Sequence, residues 1–327
     1  MWVFITICVF LIILYIIANI LYKQTNAYKN TYFESQRFLN GVPNNLKIAN
    51  FGTTCSEFAF NNYEELGLAG FNFAITCESL EGDYEILKKY SSRFAHNAII
   101  FLLCVPPCLS LFRAEMIKHE YDYYRILGHG LLGNKIKYWI KDIFPLAPWR
   151  IFRAIRIIKD VPPQKDIVDN YSLVTTNEQA SKNMGELAKR WQILFELQNL
   201  TEATIGTVNQ QRLQKNMMLF GDMLEYCKEH GFMPLVVFPP FSKYLNRHFS
   251  DDFYNATLGK ITEMAKTKYN VQVLDYRKTP EFQDDLTMYV DGGFRLSKKG
   301  SLIFIKRLLK EINKYGYSVN NKSLRKN

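Results

Sequence analysis

The first stretch of the chain limits what it can fold into more than any other. Residues 2–22 (WVFITICVFLIILYIIANILY) contain no charged side chain. A helix of this length, at a rise of about 1.5 Å per residue, spans roughly 31 Å, close to the ~30 Å hydrocarbon core of a bilayer. Buried core helices are seldom apolar on every face, and the run lacks the basic start and small-residue cleavage site of a cleaved signal peptide. We therefore predict a single-pass transmembrane anchor at residues 1–22, with the lipid bilayer of the cell membrane as its partner.

The charges that flank this run bear on the side of the membrane taken by the rest of the chain. Lys23, Lys29 and Arg37 follow the run, and no Lys or Arg precedes it. Under the positive-inside rule, this asymmetry favours a main domain in the cytoplasm. Residues 23–44 are polar with helical character, and we predict that they form a stalk.

The basic charge of the chain is concentrated in one region. The formal net charge is +10, and much of the excess lies between Lys118 and Arg156. Residues 134–159 (NKIKYWIKDIFPLAPWRIFRAIRIIK) mix Trp, Phe and Ile with Lys and Arg. Two interpretations fit: an amphipathic element on an anionic bilayer surface, or a helix with an apolar core face and a solvated basic face. Nucleic acid is not expected as a partner, because the chain combines an anchor with no recognised nucleic-acid-binding module.

The cysteines do not indicate a disulfide framework or a metal site. Of the 6 cysteines, Cys8 lies in the predicted anchor, which leaves an odd number in the rest of the chain. These cannot all pair within one domain. The nearest two, Cys104 and Cys108, lack a second pair or a His at zinc-ligand spacing. We expect no metal and no cofactor, and most of these cysteines to be small buried apolar side chains.

Beyond the stalk, apolar strand-like runs alternate with helical stretches. Strands are predicted at residues 46–51, 70–75, 97–105, 233–238 and 271–275, and helices at 54–66, 79–93, 205–230, 251–269 and 297–314. The run at 97–105 (NAIIFLLCV) is continuously apolar, as in a parallel strand buried on both faces. This alternation predicts an α/β fold with a mainly parallel five-stranded sheet. We place this domain at residues 45–315, with a largely helical insertion at about 110–200, and a polar basic tail at 316–327.

The carboxyl ends of the strands are the expected ligand-binding edge of such a sheet. This edge is predicted to carry residues 52–56 (GTTCS), 76–78, 106–107, 239–241 and 291–295 (DGGFR). One interpretation of GTTCS is a plain strand-to-helix turn in which Thr53 or Thr54 caps the helix. DGGFR can likewise be a turn that its glycines permit, with Arg295 in a salt bridge. The alternative for both is a role in binding or chemistry.

Four blocks in the same order make the chain resemble the SGNH/GDSL hydrolase superfamily. LKIANF followed by GTTCS stands where the family has a strand and Gly-x-Ser, and residues 72–78 (NFAITCE) stand where it has Asn-x-Gly-Ile-x-Gly-Asp. A third block follows strand three, and RLSKKG at 295–300 stands where the family has His-Leu-Asn-x-x-Gly. The nearest branch is membrane-anchored and includes teichoic-acid D-alanylation proteins and capsule or cell-wall acyltransferase-like proteins. The resemblance implies a three-layer α/β/α sandwich of SGNH type.

The resemblance also implies roles for individual residues. The catalytic positions fall on Thr54, Asp291 and Arg295, and the oxyanion or ligand-binding positions fall on Thr53, Cys55, Asn72, Cys77, Gly292 and Gly293. These positions depart from the family pattern. Thr54 replaces Ser and carries an extra methyl group, and Arg295 replaces His and cannot accept a proton. The family Asp position is Gly292, with Asp291 beside it. His248 is the candidate for a substitute base.

The third block departs furthest. Residues 105–108 (VPPC) stand where the family has Gly-x-Asn-Asp, and Pro has no N–H to donate to an oxyanion.

Two classes of function remain open from the sequence. The resemblance implies a cell-envelope protein for acylation or assembly of a surface polysaccharide or teichoic-acid-like polymer. Its main domain would then lie outside the cytoplasmic membrane, with an anionic cell-surface polymer and a membrane-bound acyltransferase as partners. In the first class, it is an esterase or O-acyltransferase that uses Thr54. In the second, it is a non-catalytic anion- or glycan-binding protein, or a scaffold, on a decayed SGNH fold.

Overall fold

The computed structural model describes residues 1–76, 79–106, 120–133, 135–146, 151–159, 161–198, 200–201 and 205–316. Cys77, which we predicted to be an oxyanion residue, therefore lies outside the described residues. The same holds for residues 107–119 and for nearly all of the predicted basic tail.

Five strands and a larger number of helices make up the described residues. The strands are β1 (Leu46–Phe51), β2 (Gly70–Asn72), β3 (Phe94–Leu103), β4 (Met233–Phe238) and β5 (Val273–Asp275). The helices are α1 (Trp2–Gln24), α2 (Asn26–Thr31), α3 (Phe33–Leu39), α4 (Thr54–Ala59), α5 (Leu80–Tyr90), α6 (Glu120–Leu127), α7 (Ile136–Ile143), α8 (Ile155–Ile158), α9 (Asn177–Leu194), α10 (Gly206–Glu229), α11 (Lys243–Asn246), α12 (Asp251–Tyr254), α13 (Lys260–Thr267), α14 (Pro280–Gln283) and α15 (Lys298–Lys314). Shorter 3-10 segments lie at Ser91–Arg93, Ile151–Ala154, Ile167–Asn170 and Leu286–Met288, and a π-helical segment lies at Asn255–Gly259.

The strands form one parallel sheet in the order β2-β1-β3-β4-β5. β3 is central, and its run from Ala98 to Leu103 is apolar and buried. A central parallel strand is covered on both faces, so it needs apolar side chains on both. The predicted α/β fold with a five-stranded parallel sheet is confirmed. β1 and β4 have the predicted bounds.

The other bounds differ for local reasons. β3 begins at Phe94 rather than at residue 97, because its pairing with β1 shifts register near Asn97, which has a φ of 61°. Such an irregularity hides a strand from pattern analysis. The helix predicted at 251–269 is two helices joined by a π-helical segment. In that segment the Thr257 hydroxyl donates to the carbonyl of Phe253 at 2.8 Å, a side-chain bond that perturbs helices.

The chain divides into two compact units. Unit 1 comprises Met1–Gly41 and His119–Asp169, and unit 2 comprises Val42–Lys118 and Asn170–Asn327. Most of the predicted stalk and the part of the predicted insertion from His119 to Asp169 thus belong to one unit. The insertion residues from Asn170 onward belong with the sheet.

Unit 1 contains α1, which is long and apolar enough to cross a membrane, with a mean hydropathy of 2.9. The core of this unit is an aromatic cluster made of Tyr22, Tyr28, Tyr32, Tyr121, Tyr138 and Leu146. The Arg125 guanidinium lies 5.5 Å from the ring centroid of Tyr28 and 5.0 Å from that of Tyr32. Cation–π attraction therefore adds to apolar packing in holding α2 and α6 together.

In unit 2, α15 is fixed to α4 by both apolar and polar contacts. The Phe60 ring, directly after α4, meets the ring of Phe304 at 5.7 Å. Ser301 Oγ donates to the carbonyl of Ala59 at 2.8 Å and accepts from Asn62 at 2.8 Å. The loop that leads into α15 is thereby positioned beside α4.

The turn from β1 into α4 requires glycine at position 52. Gly52 has a φ of +124°, and a Cβ there would lie 2.7 Å from the carbonyl oxygen of Leu103 in β3. Its amide donates to Asp83 Oδ1 at 3.0 Å. Both the backbone conformation and the close approach to β3 exclude a side chain.

We predict that Gly52→Ala destabilises unit 2 by at least ~2 kcal/mol, because it adds backbone strain and a clash with β3. Gly206→Ala is the matched control: Gly206 also has a positive φ, +73°, but a Cβ there would meet no atom of the described residues within 4 Å. Only strain acts at position 206, so the loss should be about 1 kcal/mol. Denaturant unfolding of the full chain in detergent measures the free energy of unfolding of both variants. Equal losses in the two variants would contradict a close approach of position 52 to β3.

Candidate functional site

Thr54 begins α4 directly after the β1 turn, as the sequence predicts. Thr53 is the N-cap residue, and its carbonyl accepts from Ser56 N at 2.8 Å and from Glu57 N at 3.1 Å. The Thr53 side chain makes no capping hydrogen bond. Thr54 is only 7% exposed, and no described residue forms a hydrogen bond with its hydroxyl. The described residues therefore provide no hydrogen-bonded base for this hydroxyl.

Asn72 is held in a buried amide network rather than left free. Asn50 Nδ2 donates to Asn72 Oδ1 at 2.7 Å and to Ser56 Oγ at 3.0 Å. Asn72 Nδ2 donates to the carbonyl of Glu57 at 2.8 Å, and its Oδ1 also accepts from the amide of Ala74 at 3.1 Å. The side chain predicted to serve an oxyanion thus ties β2 to β1 and α4.

Two buried carboxylates flank the start of α4. Asp83 accepts the Gly52 amide, and Glu57 Oε2 accepts the Thr76 hydroxyl at 3.0 Å. Both side chains are almost fully buried. Buried charge is costly unless it is hydrogen-bonded, so these two residues hold the turn and the end of β2 in place.

Asp291 organises the loop before α15. Its Oδ1 accepts from the backbone amides of Gly293 at 3.1 Å, Phe294 at 2.9 Å and Arg295 at 3.0 Å. Its Oδ2 accepts from Arg295 Nη1 at 3.3 Å. The carboxylate is thus engaged by its own loop, and one oxygen is saturated with donors.

The two glycines of the loop pack against neighbouring protein atoms. Gly292 has a φ of +94°, and a Cβ there would lie 2.7 Å from the Cα of Ala180 in α9. Ser242 Oγ donates to the carbonyl of Gly292 at 2.8 Å, and Ser242 N donates to that of Gly293 at 3.1 Å. The glycines therefore allow close packing of the loop, which is what a glycine-permitted turn requires.

Arg295 lies in a partly exposed aromatic corner. Its guanidinium carbon is 5.3 Å from the ring centroid of Tyr171 and 5.8 Å from that of Phe58. The ion pair with Asp291, at 3.3 Å, is longer than the 2.7–2.9 Å typical of charge-assisted bonds. Its Nε is buried and has no partner among the described residues. The side chain is 28% exposed, so the donors open to a ligand are those of its Nη atoms and not the buried Nε.

The structure brings the two predicted blocks together. Cys55 Sγ donates to the carbonyl of Phe294 at 3.3 Å, and Phe58 of α4 lies beneath Arg295. Residues of GTTCS and DGGFR are therefore neighbours at the carboxyl edge of the sheet, as the order of the blocks predicts.

His248 does not join this group. No hydrogen bond links it to Thr54, and its Nε2 has no partner among the described residues. A Cβ on Gly185 in α9 would lie 4.0 Å from this nitrogen. Burial, and secondarily the charge of Arg247, lower the pKa of His248 below its ordinary value. The ring is accordingly neutral at physiological pH, although it is not placed against the proposed nucleophile.

The described part of the chain offers little else that suits a metal site, a reactive cysteine or a binding pocket at the predicted site. Within those residues, no group of three or more His, Cys, Asp or Glu could hold a metal ion. Cys104 directly follows β3, but burial and the nearby Asp83 raise the pKa of its thiol well above the ordinary value, which disfavours a thiolate. A groove of about 640 Å³ is lined by α10 and α13 residues, including Met217, Met218 and Met264, none of which belongs to the predicted site.

The buried polar residues that build this edge were not predicted from the sequence. Asn50 is the one polar residue after Lys47 in the apolar strand LKIANF, and that isolation was the only local signal. No comparable signal marked Ser56, Glu57 or Asp83. Their hydrogen-bond partners depend on how β1, β2 and α5 pack together.

No protein-family model matches this chain, and no curated protein is similar to it at a significant level. The resemblance to SGNH/GDSL hydrolases therefore rests on the four sequence blocks alone.

We predict that Asp291→Ala lowers the free energy of unfolding by about 3 kcal/mol, since hydrogen bonds to a charged acceptor contribute ~1.5–3 kcal/mol each and the amides would be left without it. Asp291→Asn keeps an acceptor oxygen and should cost about half as much. Denaturant unfolding of the full chain in detergent checks both. An Asp291→Ala variant as stable as the wild type would contradict the organising role of this carboxylate.

Proposed function

We propose that this protein is a membrane-anchored, SGNH-like protein of cell-envelope polymer acylation or assembly, whose sheet-edge site binds an anionic group instead of hydrolysing an ester. The observation that carries the proposal is Arg295, a partly exposed guanidinium with unused donors at the carboxyl edge of the sheet. A planar, permanently charged fork suits phosphate or carboxylate.

The position of the site supports this proposal. The strand order reverses direction between β1 and β3, and ligands of open parallel sheets bind at that point, beyond the carboxyl ends. Gly52 and Thr54 lie there, and Cys55 connects them to the 291–295 loop. We propose a three-layer α/β/α arrangement of SGNH type around this sheet, which is consistent with the strand order.

The chemistry of the same residues argues against turnover. General base assistance contributes about 10²–10⁴ in rate, and no described residue accepts a hydrogen bond from the Thr54 hydroxyl. Asp291 is occupied by three amides and Arg295, so it is not free to orient a base. Asn72, the proposed oxyanion donor, already donates from Nδ2 to the carbonyl of Glu57.

A second function, ester hydrolysis or O-acyl transfer by Thr54, keeps one observation in its favour. His248 has a buried Nε2 without a described partner and a lowered pKa, as expected of a neutral base. For it to act, the ring would have to move from Gly185 to Thr54.

Retention of α1 as an anchor is supported by the packing of unit 1. Asn19 and Tyr22, near the end of α1, are almost completely buried. Asn19 Oδ1 accepts from the amide of Leu146 at 3.0 Å. Removal of α1 would expose this core, so we propose that the helix stays in the protein and spans the membrane.

We propose that unit 2 lies outside the cytoplasmic membrane, where an anionic cell-surface polymer and a membrane-bound acyltransferase would be its partners. This side follows from the resemblance, whereas Lys23, Lys29 and Arg37 favour the opposite side. We expect a C-terminal alkaline phosphatase fusion to be active and a β-galactosidase fusion to be inactive. The reverse pattern would place the domain in the cytoplasm and remove the envelope polymer as its ligand.

For the site itself, we predict that Arg295→Ala weakens binding of inorganic phosphate to the detergent-solubilised full chain by roughly tenfold or more, the equivalent of one or two charged hydrogen bonds. Calorimetry measures the affinity. Arg307→Ala is the matched control, because this arginine pairs with Glu281 on an exposed surface and its loss should leave the affinity unchanged.

The same preparation should hydrolyse p-nitrophenyl acetate no faster than its Thr54→Ala variant. Robust hydrolysis that Thr54→Ala abolishes would establish a catalytic site and favour the second function. Phosphate affinity that is equal in Arg295→Ala and the wild type would eliminate the anion-binding role.

A further inference from the structure

The end of α1 is covered by residues from much later in the chain. We call the described residues 135–146 and 151–159 the collar. The rings of Tyr15 and Phe144 stack at 5.9 Å. The amide of Leu146 donates to Asn19 Oδ1 at 3.0 Å, and Lys23 Nζ donates to the carbonyl of Asp142 at 2.7 Å. The collar therefore contacts α1 from Tyr15 to Lys23.

The length of α1 then decides where the bilayer must lie. Residues 2–14, the part of α1 before these contacts, span only about 20 Å as a helix. The hydrocarbon core measures ~30 Å. If α1 crosses the bilayer, the apolar region must extend to the level of residues 15–22, and the collar packed on those residues lies at the same depth.

The exposed surface of the collar suits that position. Its large apolar side chains point away from the protein and include Ile136 (75% exposed), Trp139 (53%), Phe152 (81%), Ile155 (66%) and Ile158 (89%). On α7, residues 136, 139, 140 and 143 recur at helical spacing and form one face. Exposed apolar patches of this kind mark interaction sites.

The charges around this apolar face indicate what covers it. Lys135, Lys137, Arg156 and Lys159 are exposed, and no ion pair with a described residue neutralises them. The collar contains a single acidic residue, Asp142. Interleaved cations and large apolar side chains, with a Trp among them, are the composition of elements that lie at an anionic lipid interface.

We infer that the collar is an interfacial element: its apolar face enters the acyl boundary of the leaflet in which α1 ends, and its cations contact anionic lipid headgroups. The inference rests on the proposed membrane-spanning role of α1. A second copy of the chain would fit less well, because two collars would bring like charges together, whereas the bilayer is continuous with the apolar surface of α1.

Tryptophan quenching by brominated lipids tests this in the full chain. A Trp139-only variant (Trp2→Phe, Trp149→Phe, Trp191→Phe) is reconstituted into vesicles of phosphatidylcholine with phosphatidylglycerol, with or without bromine on the acyl chains. We expect Trp139 emission to be blue-shifted and to lose intensity in the brominated vesicles. Replacing Lys135, Lys137, Arg156 and Lys159 by Gln should reduce that loss to the level seen in pure phosphatidylcholine.

Two further variants make the result decisive. A Trp2-only variant reports the insertion of α1, and an Ile193→Trp variant without other tryptophans reports an exposed apolar position of unit 2 that should stay unquenched. Quenching of Trp2 without quenching of Trp139 would overturn the inferred membrane contact of the collar and leave the membrane-spanning role of α1 intact. If neither Trp2 nor Trp139 is quenched, both the membrane-spanning role of α1 and the membrane contact of the collar are overturned. A Trp139 shielded from aqueous iodide but not quenched by bromine would show a protein contact there, which also overturns the inference.

Discussion

The approach of Gly52 to β3 is the constraint on which the carboxyl edge of the sheet depends. There the backbone of β1 turns so close to the carbonyl of Leu103 that no side chain fits, and Asp83 holds the turn through its amide. This fixes where α4 begins, and with it the position of Cys55, which meets the carbonyl of Phe294. One tight turn therefore sets the geometry between two segments that are more than two hundred residues apart in the chain.

Burial at this edge converts polar residues from reactive groups into structural ones. A buried polar group must be hydrogen-bonded, because leaving it unpaired costs about 1–3 kcal/mol. Asn72 and Asp291, both half-buried, are hydrogen-bonded by the protein: Asn72 to residues of β1 and α4, and Asp291 to the amides of its own loop. A donor already satisfied by the protein cannot also stabilise an oxyanion without losing that partner. Arg295 differs because it is partly exposed and has more donors than acceptors nearby, and this difference is the basis of our proposal that the site binds an anion.

Local patterns in the sequence were sufficient for the sheet but not for its polar framework. The mainly apolar runs of β1 and β4 predicted their bounds, and the glycines of residues 291–295 predicted the turn that the structure contains. The Asn50–Asn72 bond joins side chains from different strands, so it depends on register and not on spacing. The packing of α1–α3 and residues 119–169 into one unit likewise depends on contacts between residues that are far apart in the sequence. Neither the 3.6-residue nor the 2-residue period encodes such information.

The two interpretations of residues 134–159 differ in where the apolar side chains should point. An ordinary amphipathic helix buries its apolar face in the protein and leaves its basic face in water. In the collar, Tyr138 and Leu146 do face the aromatic cluster, but Ile136, Trp139 and Phe152 face outward with the cations. In water this arrangement would expose apolar area at a cost of about 25 cal/mol per Å². Against a bilayer, the same area is stabilising and the neighbouring cations gain anionic partners. We infer that the bilayer is the solvent in which the fold of unit 1 is consistent with its sequence.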